Sequence, residues 1–254
     1  PMVHMPTCPY SRIFESPTPA DAQVMRRYTN VPHPFVIYPT DVSEDGEFTL
    51  ELVLIGGANQ YFPYFVMTFL RMAQGGLGPK RTPFEILGIE SGGKPVYDPE
   101  TNGILEFQRK QRFAPSGSRA RRVRLELVSP LSLNREGTAL QGWDTRTFVS
   151  ALLRRIKNLA HFHADLDLQI DFTALIALAE QEVRVASDDT QWIARHRYSS
   201  RQGQVMRIGG LMGTVDLEGD LTRLLPYLEL GTTIHNGKKT SFGNGKYVLS
   251  LEED

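Results

Sequence analysis

The order of apolar patterns in the second half of the chain restricts its fold more than any other feature. Val123, Leu125 and Leu127 alternate with charged residues, which predicts a strand with one buried face. Apolar residues at helical spacing follow Asp144, a residue type that often begins helices. The patterns predict, in order, a strand over 121–128, a helix over 145–162 that continues over 172–185, strands over 192–198 and 205–217, a short helix after Asp220 that Pro226 strains or ends, and a last strand over 242–251. This β-α-β-β-α-β order is that of a ferredoxin-like domain.

The first half shows part of the same order. Residues 1–34 are rich in proline, which disfavours regular structure beyond a short helix over 21–28. The patterns that follow predict strands over 35–38, 47–55 and 84–90, a helix over 61–72 and a hairpin that turns at 98–103. We find no pattern for the strand and helix that open such a domain, and a start at Pro1 is compatible with trimming or with a longer product. We therefore predict an α+β protein of two tandem ferredoxin-like (RRM-like) domains, residues 1–115 and 116–254, the first without its opening strand and helix.

Composition narrows the range of functions. The 254 residues are 41% hydrophobic, enough for a sizeable core, and the net charge is -1. Proteins that coat nucleic acid non-specifically are usually much more basic, so any nucleic-acid contact must come from local clusters. The single cysteine, Cys8, excludes a disulfide within the chain and fits a reducing, cytoplasmic setting. The sequence has no apolar run of membrane-spanning length and no signal-peptide pattern, so we expect no membrane association.

A glycine- and lysine-rich segment, residues 235–246 and hereafter the glycine loop, precedes the last predicted strand. Glycine lets a backbone approach a ligand closely, and lysine supplies a point charge suited to phosphate. The segment predicts a loop that binds a phosphodiester backbone; the alternative is a flexible hairpin turn with solvated lysines. A strand follows it where a nucleotide P-loop requires a helix. The residues predicted to contact the ligand are Gly237, Lys238, Lys239, Gly243, Gly245, Lys246 and the flanking His235, for which simple packing is the alternative.

A run of basic residues without an intervening acid lies at the predicted domain boundary. Guanidinium groups suit phosphate geometry, so RNA or DNA contact is one interpretation, and a solvated surface or linker is the other. The run consists of Arg109, Lys110, Arg112, Arg119, Arg121, Arg122 and Arg124. We select Arg119, Arg121 and Arg122 as predicted RNA contacts.

Two segments that contain histidine suggest different chemistries. His33 lies between Pro32 and Pro34, which hold the backbone extended, so its imidazole could act as a fixed general base or acid; a histidine packed at the start of a strand is the alternative. The segment 161–165 resembles the start of the metallo-β-lactamase metal signature, with ligand types at His161, His163 and Asp165. Leu166 stands where that motif needs another histidine, so we expect neither a metal nor another cofactor.

The glycine loop also carries a family resemblance. Residues 224–231 and 235–247 resemble the C-terminal region of CRISPR-associated RAMP proteins, and the most similar group is the endoribonucleases that process precursor CRISPR RNA. Segments that resemble the same group are Pro32-His33-Pro34-Phe35, Leu54-Ile55-Gly56, Gly75-Gly76-Leu77-Gly78 and Gly209-Gly210-Leu211-Met212-Gly213. The resemblance spans residues 8–249, and the family's two tandem ferredoxin-like domains agree with the order of elements predicted above.

The resemblance implies an activity. Such enzymes cut CRISPR repeat RNA without metal: the ribose 2′-hydroxyl attacks the phosphorus and leaves a 2′,3′-cyclic phosphate and a 5′-hydroxyl. By this analogy His33 would transfer the proton, Lys238 and Lys239 would contact phosphate, and the loop glycines would allow close backbone approach. The alternative is a non-catalytic RAMP subunit that only binds guide RNA. The resemblance implies CRISPR repeat RNA as the partner and is compatible with binding to other CRISPR-associated proteins. It does not imply an oligomeric state.

Overall fold

The computed structural model describes residues 8–15, 31–40, 42–101, 103–106, 112–194, 196–199, 204–207 and 209–252, with the backbone alone for 196–199 and 204–207. The helix predicted over 21–28 and the basic residues Arg109 and Lys110 lie outside this description. Within it, no helix is both long enough and apolar enough to cross a membrane.

The first half consists of short elements around a small core of Ile13, Phe35 and Phe65. Its helices are α1 (Pro9–Phe14), a 3-10 helix (Gly56–Tyr61) and α2 (Phe62–Gly75). Its strands are β1 (Phe35–Pro39), β2 (Leu50–Leu54), β3 (Glu90–Ser91), β4 (Lys94–Pro95), β5 (Tyr97–Asp98) and β6 (Gly103–Ile104), paired antiparallel as β1–β2, β3–β4 and β5–β6. The predicted hairpin with its turn near 98–103 is the β5–β6 pair.

The second half is built on one larger sheet. Its strands are β7 (Arg122–Leu131), β8 (Asn134–Arg135), β9 (Thr138–Ala139), β10 (Arg184–Asp188), β11 (Gln191–Ile193), β12 (His196–Ser199), β13 (Gln204–Arg207), β14 (Gly210–Glu218) and β15 (Tyr247–Leu251). Its helices are α3 (Thr145–Ala164), α4 (Phe172–Gln181), α5 (Leu225–Ile234) and a 3-10 helix (Thr240–Phe242). The order in the sheet is β10-β14-β7-β15 with every pair antiparallel, β11 also pairs with β14, and β12 pairs with β13.

The alternating residues of β7 form the centre of the core. Val123, Leu125 and Leu127 are at most 2% exposed and belong to the same core as the apolar face of α3. Burial of each such leucine contributes about 1.5–3 kcal/mol. The predicted cap of α3 is present, since the Asp144 carboxylate accepts a hydrogen bond from the Thr147 amide at 2.7 Å.

Several predicted elements differ from the structure, and three of the differences have a clear physical reason. The helix predicted over 172–185 ends at Gln181, and residues 184–188 are strand β10, because pairing with β14 satisfies their backbone groups. Pro226 lies in the first turn of α5 instead of ending a helix, because a proline in the first turn loses no intrahelical hydrogen bond. Residues 84–89 form no strand, and the Phe84 amide donates instead to the Ala73 carbonyl of α2.

Candidate nucleic-acid interface

A cleft of about 380 Å³ lies where the two halves of the chain meet, and we call it the junction cleft. One side comes from α1, β1 and the residues before β1, and the other comes from the glycine loop. Its lining residues are Phe14, His33, Phe35, Ile37, Pro39, Lys239, Ser241, Phe242 and Asn244. The fold thus brings together His33 and Lys239, which the sequence singled out for separate reasons.

His33 is held at the start of β1 with its imidazole half-buried. Its ring stacks on Phe35 with centroids 5.7 Å apart, and its Nδ1 is buried without a hydrogen-bond partner among the described residues. Because Nδ1 is shielded, proton exchange with a ligand in the junction cleft must use Nε2. Burial lowers the pKa of His33, an interaction with the backbone of Ile13 opposes that shift, and the positive charge of Arg155 adds to it. The ring is therefore neutral at neutral pH and able to accept a proton.

His163 of α3 fixes the segment that carries His33. Its Nε2–H donates a 2.7 Å hydrogen bond to the Pro32 carbonyl, which settles its tautomer because a carbonyl can only accept. Within the described part of the chain, no three His, Cys, Asp or Glu side chains converge as metal ligands. His161 is exposed, so the two histidines of the 161–165 segment point to different surroundings.

The three lysines of the glycine loop occupy three different environments. Lys239 lines the junction cleft, whereas the Lys238 side chain is exposed and its amide donates to the Ser132 carbonyl at 3.0 Å. The ammonium of Lys246 lies 2.5 Å from the Glu51 carboxylate and 4.0 Å above the Tyr38 ring. Lys246 therefore ties the loop to β1 and β2, with 18% of its side chain exposed.

His235 supports the glycine loop from within. Its ring is 2% exposed, and its Nδ1–H donates to the Asn244 carbonyl at 3.2 Å. Burial lowers the pKa of His235 to about 4, with Lys246 and Arg155 acting in the same direction against the hydrogen bond to Asn244. The structure thus corresponds to the packed alternative for this residue, with almost no surface for RNA.

The glycines of the loop are required by the protein's own backbone. Gly237, Gly243 and Gly245 have φ values of 83°, 83° and 73°. A Cβ on Gly237 would lie 2.6 Å from the Ser132 carbonyl oxygen, and one on Gly243 would lie 2.8 Å from that of Ile37. The close approach that the sequence assigned to a ligand is therefore made, in this structure, between parts of the same chain.

The predicted arginine contacts lie far from the junction cleft. Arg122 begins β7 and pairs with Glu252 at 3.0 Å, and the exposed Arg119 and Arg121 precede it. The glycine loop meets the other end of β7, since Ser129 donates to the Gly243 carbonyl at 2.7 Å. At about 3.3 Å per residue, these two ends are roughly 25 Å apart. The arginines do not share the site of His33.

Arg155 is the residue near the cleft that sequence reasoning missed. Its guanidinium donates to the Ile234 carbonyl at 2.9 and 3.0 Å and to the His235 carbonyl at 3.1 Å, which caps α5. It forms no ion pair in the described part of the chain, and burial lowers its pKa to about 10. The signal in the sequence was an arginine beside the apolar stripe of α3, next to Ile156. Its charge adds positive potential around His33, His163 and His235.

Comparison with known families agrees with this picture. Residues 125–247 match the family model of the CRISPR-associated endoribonuclease Cas6, and residues 2–111 match a model described as an N-terminal domain. The second half of the chain therefore matches the family of CRISPR-associated endoribonucleases that process precursor CRISPR RNA, which confirms the resemblance there. No curated protein matches it.

Solved structures show the same mixed α+β fold. A Cas6 product complex has a TM-score of 0.59 at 18% identity, with 95% of this chain and 89% of that chain covered. Cas6 of Thermus thermophilus has a TM-score of 0.55 at 17% identity, with 95% and 87% covered. A partial Cas6-RT-Cas1–Cas2 complex has a TM-score of 0.52 at 16% identity, with 85% of this chain and 39% of that chain covered. At these identities the comparisons establish the fold.

Proposed function

We propose that this protein is a metal-independent endoribonuclease that cleaves CRISPR repeat RNA. The observation that carries the proposal is the junction cleft, where a histidine kept neutral by burial and a lysine of the glycine loop line one cavity. Family membership supplies the substrate class, and the cleft supplies residues suited to it.

The proposed reaction is an internal transfer at phosphorus. His33 Nε2 accepts the proton of the ribose 2′-hydroxyl while the 2′-oxygen forms a bond to phosphorus. The bond from phosphorus to the 5′-oxygen then breaks, and that oxygen takes up a proton to become a hydroxyl. The products are a 2′,3′-cyclic phosphate and a 5′-hydroxyl end, and the proposed reaction needs neither an oxidant nor a metal.

The reaction also requires stabilisation of negative charge, which the positive charge around the cleft supplies. The phosphorane intermediate carries more negative charge than the substrate, so a cation at the cleft lowers its energy. Lys239 lines the cavity, and the buried charge of Arg155 adds positive potential at His33. Lys238, exposed on the same loop, is suited to the flanking phosphates.

One observation favours the alternative of a guide-RNA-binding subunit without catalysis. Among the described lining residues, His33 is the single side chain whose ordinary pKa lies near neutrality. A second group that donates a proton to the 5′-oxygen is not among them. RNA binding requires only the glycine loop, whereas cleavage also requires a working His33.

Incubation of the purified protein with repeat RNA in EDTA tests the proposal. We expect cleavage at one position, with a 2′,3′-cyclic phosphate on the upstream product. His33→Ala should lower the rate by at least about 100-fold, as general acid–base catalysis typically contributes 10²–10⁴-fold. His161→Ala, a change of an exposed histidine outside the cleft, is the matched control and should keep the activity.

The outcomes separate the two functions. Tight binding without cleavage would favour the guide-RNA subunit. Cleavage that EDTA abolishes would overturn metal independence, and equal activity of His33→Ala and wild type would overturn the role of His33.

We also propose that the two halves are tandem ferredoxin-like domains, residues 1–115 and 116–254. The sheet order β10-β14-β7-β15 and the chain order of its helices support this for the second half. In the described part of the first half, β1, β2 and α2 support it only partly. The proposed partners are CRISPR repeat RNA and other CRISPR-associated proteins.

A further inference from the structure

Around its 3-10 turn, the glycine loop exposes an aromatic side chain and buries the uncharged polar ones beside it, which reverses the usual pattern. Phe242 is 59% exposed, whereas its neighbours Thr240 and Ser241 are 6% and 7% exposed and Asn244 is 8% exposed. Single exposed apolar residues are common on protein surfaces and by themselves need no explanation. Phe242 differs because it lines the junction cleft beside His33 and Lys239.

The loop holds Phe242 in a defined place. Phe242 ends a 3-10 turn in which its amide donates to the Lys239 carbonyl at 3.0 Å, and the Gly243 amide donates to the Thr240 carbonyl at 2.9 Å. Residues with positive φ, Lys239 and Gly243, bound the turn on both sides. A ligand that contacts Phe242 therefore meets a surface that is already ordered.

The opposite wall of the junction cleft is also aromatic. Phe14 is 41% exposed and packs edge-on against Phe35, with centroids 5.2 Å apart. Phe35 in turn stacks on His33, and the ring of Tyr10, which is 43% exposed, has its centroid 5.2 Å from that of Phe14. A continuous aromatic wall thus leads from the surface to the histidine.

We propose that Phe242 and Phe14 form a subsite that stacks an unpaired nucleobase of the RNA next to His33. Every base has a π-face, so aromatic side chains beside a cationic group are the usual means of holding single-stranded RNA. A base within a duplex has both faces covered by its neighbours, whereas an unpaired or terminal base offers a free face. The stacked base would position the adjoining ribose and phosphate at His33; this inference rests on the proposed function for the identity of the RNA.

The test uses repeat RNA that cannot be cut because the nucleotide at the cleavage position is 2′-deoxy. A fluorescent base, 2-aminopurine, is moved along the positions that flank the cleavage site. We expect stacking on Phe242 to change the fluorescence at one position, and Phe242→Ala to remove that change and weaken binding by roughly tenfold. Phe242→Tyr should restore both, whereas Phe242→Leu should restore neither, because leucine is apolar without a π-face.

The control is Tyr64→Ala on α2, since Tyr64 is also 59% exposed and does not line the cleft. We expect it to bind like wild type, and thermal unfolding checks that each variant is folded. Unchanged binding and fluorescence in Phe242→Ala, or equal binding by the Leu and Tyr variants, would overturn the subsite.

This outcome is separable from failure of the proposed function. If wild type does not cut unmodified repeat RNA but Phe242→Ala still weakens binding, the endoribonuclease proposal fails and the subsite stands. If wild type cuts and the Phe242 variants bind equally, the subsite fails alone. If wild type binds no repeat RNA, both are overturned.

Discussion

At the scale of single residues, burial decides which charges this protein can carry near its cleft. His235 donates one hydrogen bond from a position with 2% exposure, and the nearby Lys246 and Arg155 further disfavour a proton on its ring. Burial also lowers the pKa of His33 and His163. These three histidines are neutral at neutral pH, which leaves the positive charge of the site to lysine and arginine.

The low pKa of His235 predicts that the protein loses stability in mild acid. Its pKa is about 4 in the fold and about 6.5 in the unfolded chain, so the unfolded state binds the proton first as the pH falls. The contribution of neutral His235 to the free energy of unfolding is fully present above pH ~6.5 and declines between pH ~6.5 and ~4. Below pH ~4 the loss reaches about 3 kcal/mol. Urea unfolding between pH 7.5 and pH 4.5 measures this.

The variant His235→Asn isolates the contribution of this residue. Asparagine retains a donor near the position of Nδ1 and tolerates the positive φ of 61°, but it does not titrate. Between pH 7.5 and pH 4.5, we expect the free energy of unfolding to fall by about 2 kcal/mol more in the wild type than in the variant. Parallel curves for the two proteins would contradict the assignment.

At the scale of elements, the glycine loop is built mainly by buried polar groups. Asn236 is fully buried, donates to the Phe148 carbonyl at 2.9 Å and accepts from the Gly237 amide at 2.8 Å. Ser129 donates to the Gly243 carbonyl and accepts from the Lys246 amide, both at 2.7 Å. These bonds satisfy the buried polar groups that hold the loop in place.

We predict that Gly243→Ala separates the loop from β1. The residue has φ = 83°, and its new Cβ would lie 2.8 Å from the Ile37 carbonyl oxygen, a backbone atom that cannot move aside easily. Gly46→Ala is the matched control, because Gly46 has φ = 82° and nothing within 4 Å of the added atom. We expect both variants to lose about 1 kcal/mol of folding stability, because alanine disfavours the left-handed conformation. Gly243→Ala should lose a further ~1–3 kcal/mol from the contact of its Cβ with the Ile37 carbonyl.

Urea unfolding and RNA cleavage measured on both variants test this prediction. We expect Gly46→Ala to cleave at the wild-type rate and Gly243→Ala to be slower, since Lys239 and Phe242 move with the loop. Equal losses of stability in the two variants would show that the contact with β1 has no energetic weight.

At the scale of the whole molecule, the candidate site exists only where the two halves meet. His33 belongs to the first half and Lys239 to the second. The halves are joined by the His163–Pro32 hydrogen bond and by the ion pair of Lys246 with Glu51. With a net charge of only -1, the molecule has no general attraction for RNA, so affinity depends on the few cations near this junction.

We therefore predict a specific salt dependence for the loop lysines. The double variant Lys238→Ala/Lys239→Ala should weaken RNA binding and lower the slope of log affinity against log salt by about 1.4, at ~0.7 for each lost contact to single-stranded RNA. Lys80→Ala/Lys94→Ala is the control, since it removes the same charge from two exposed lysines that do not line the cleft. Binding titrations from 50 to 300 mM salt measure both, and equal slopes would contradict the assignment of the loop as the RNA contact.

Local sequence patterns were sufficient to predict the main elements of the second half and the two segments that form the site. Alternation in β7, helical spacing in α3 and the cap at Asp144 are local signals, because each depends on residues within a turn or a strand. The proline-flanked His33 and the glycine loop were likewise visible as unusual local composition.

The environment of each of these residues depends on contacts with distant parts of the chain. Strand β10 formed where a helix was predicted, because β14 lay beside it. His235 donates a hydrogen bond to the Asn244 carbonyl, and Lys246 pairs with Glu51. The loop glycines lie against carbonyl groups of the protein itself, and Arg155 donates to the end of α5. Burial and pairing depend on contacts between residues far apart in the chain, and no local pattern carries that information.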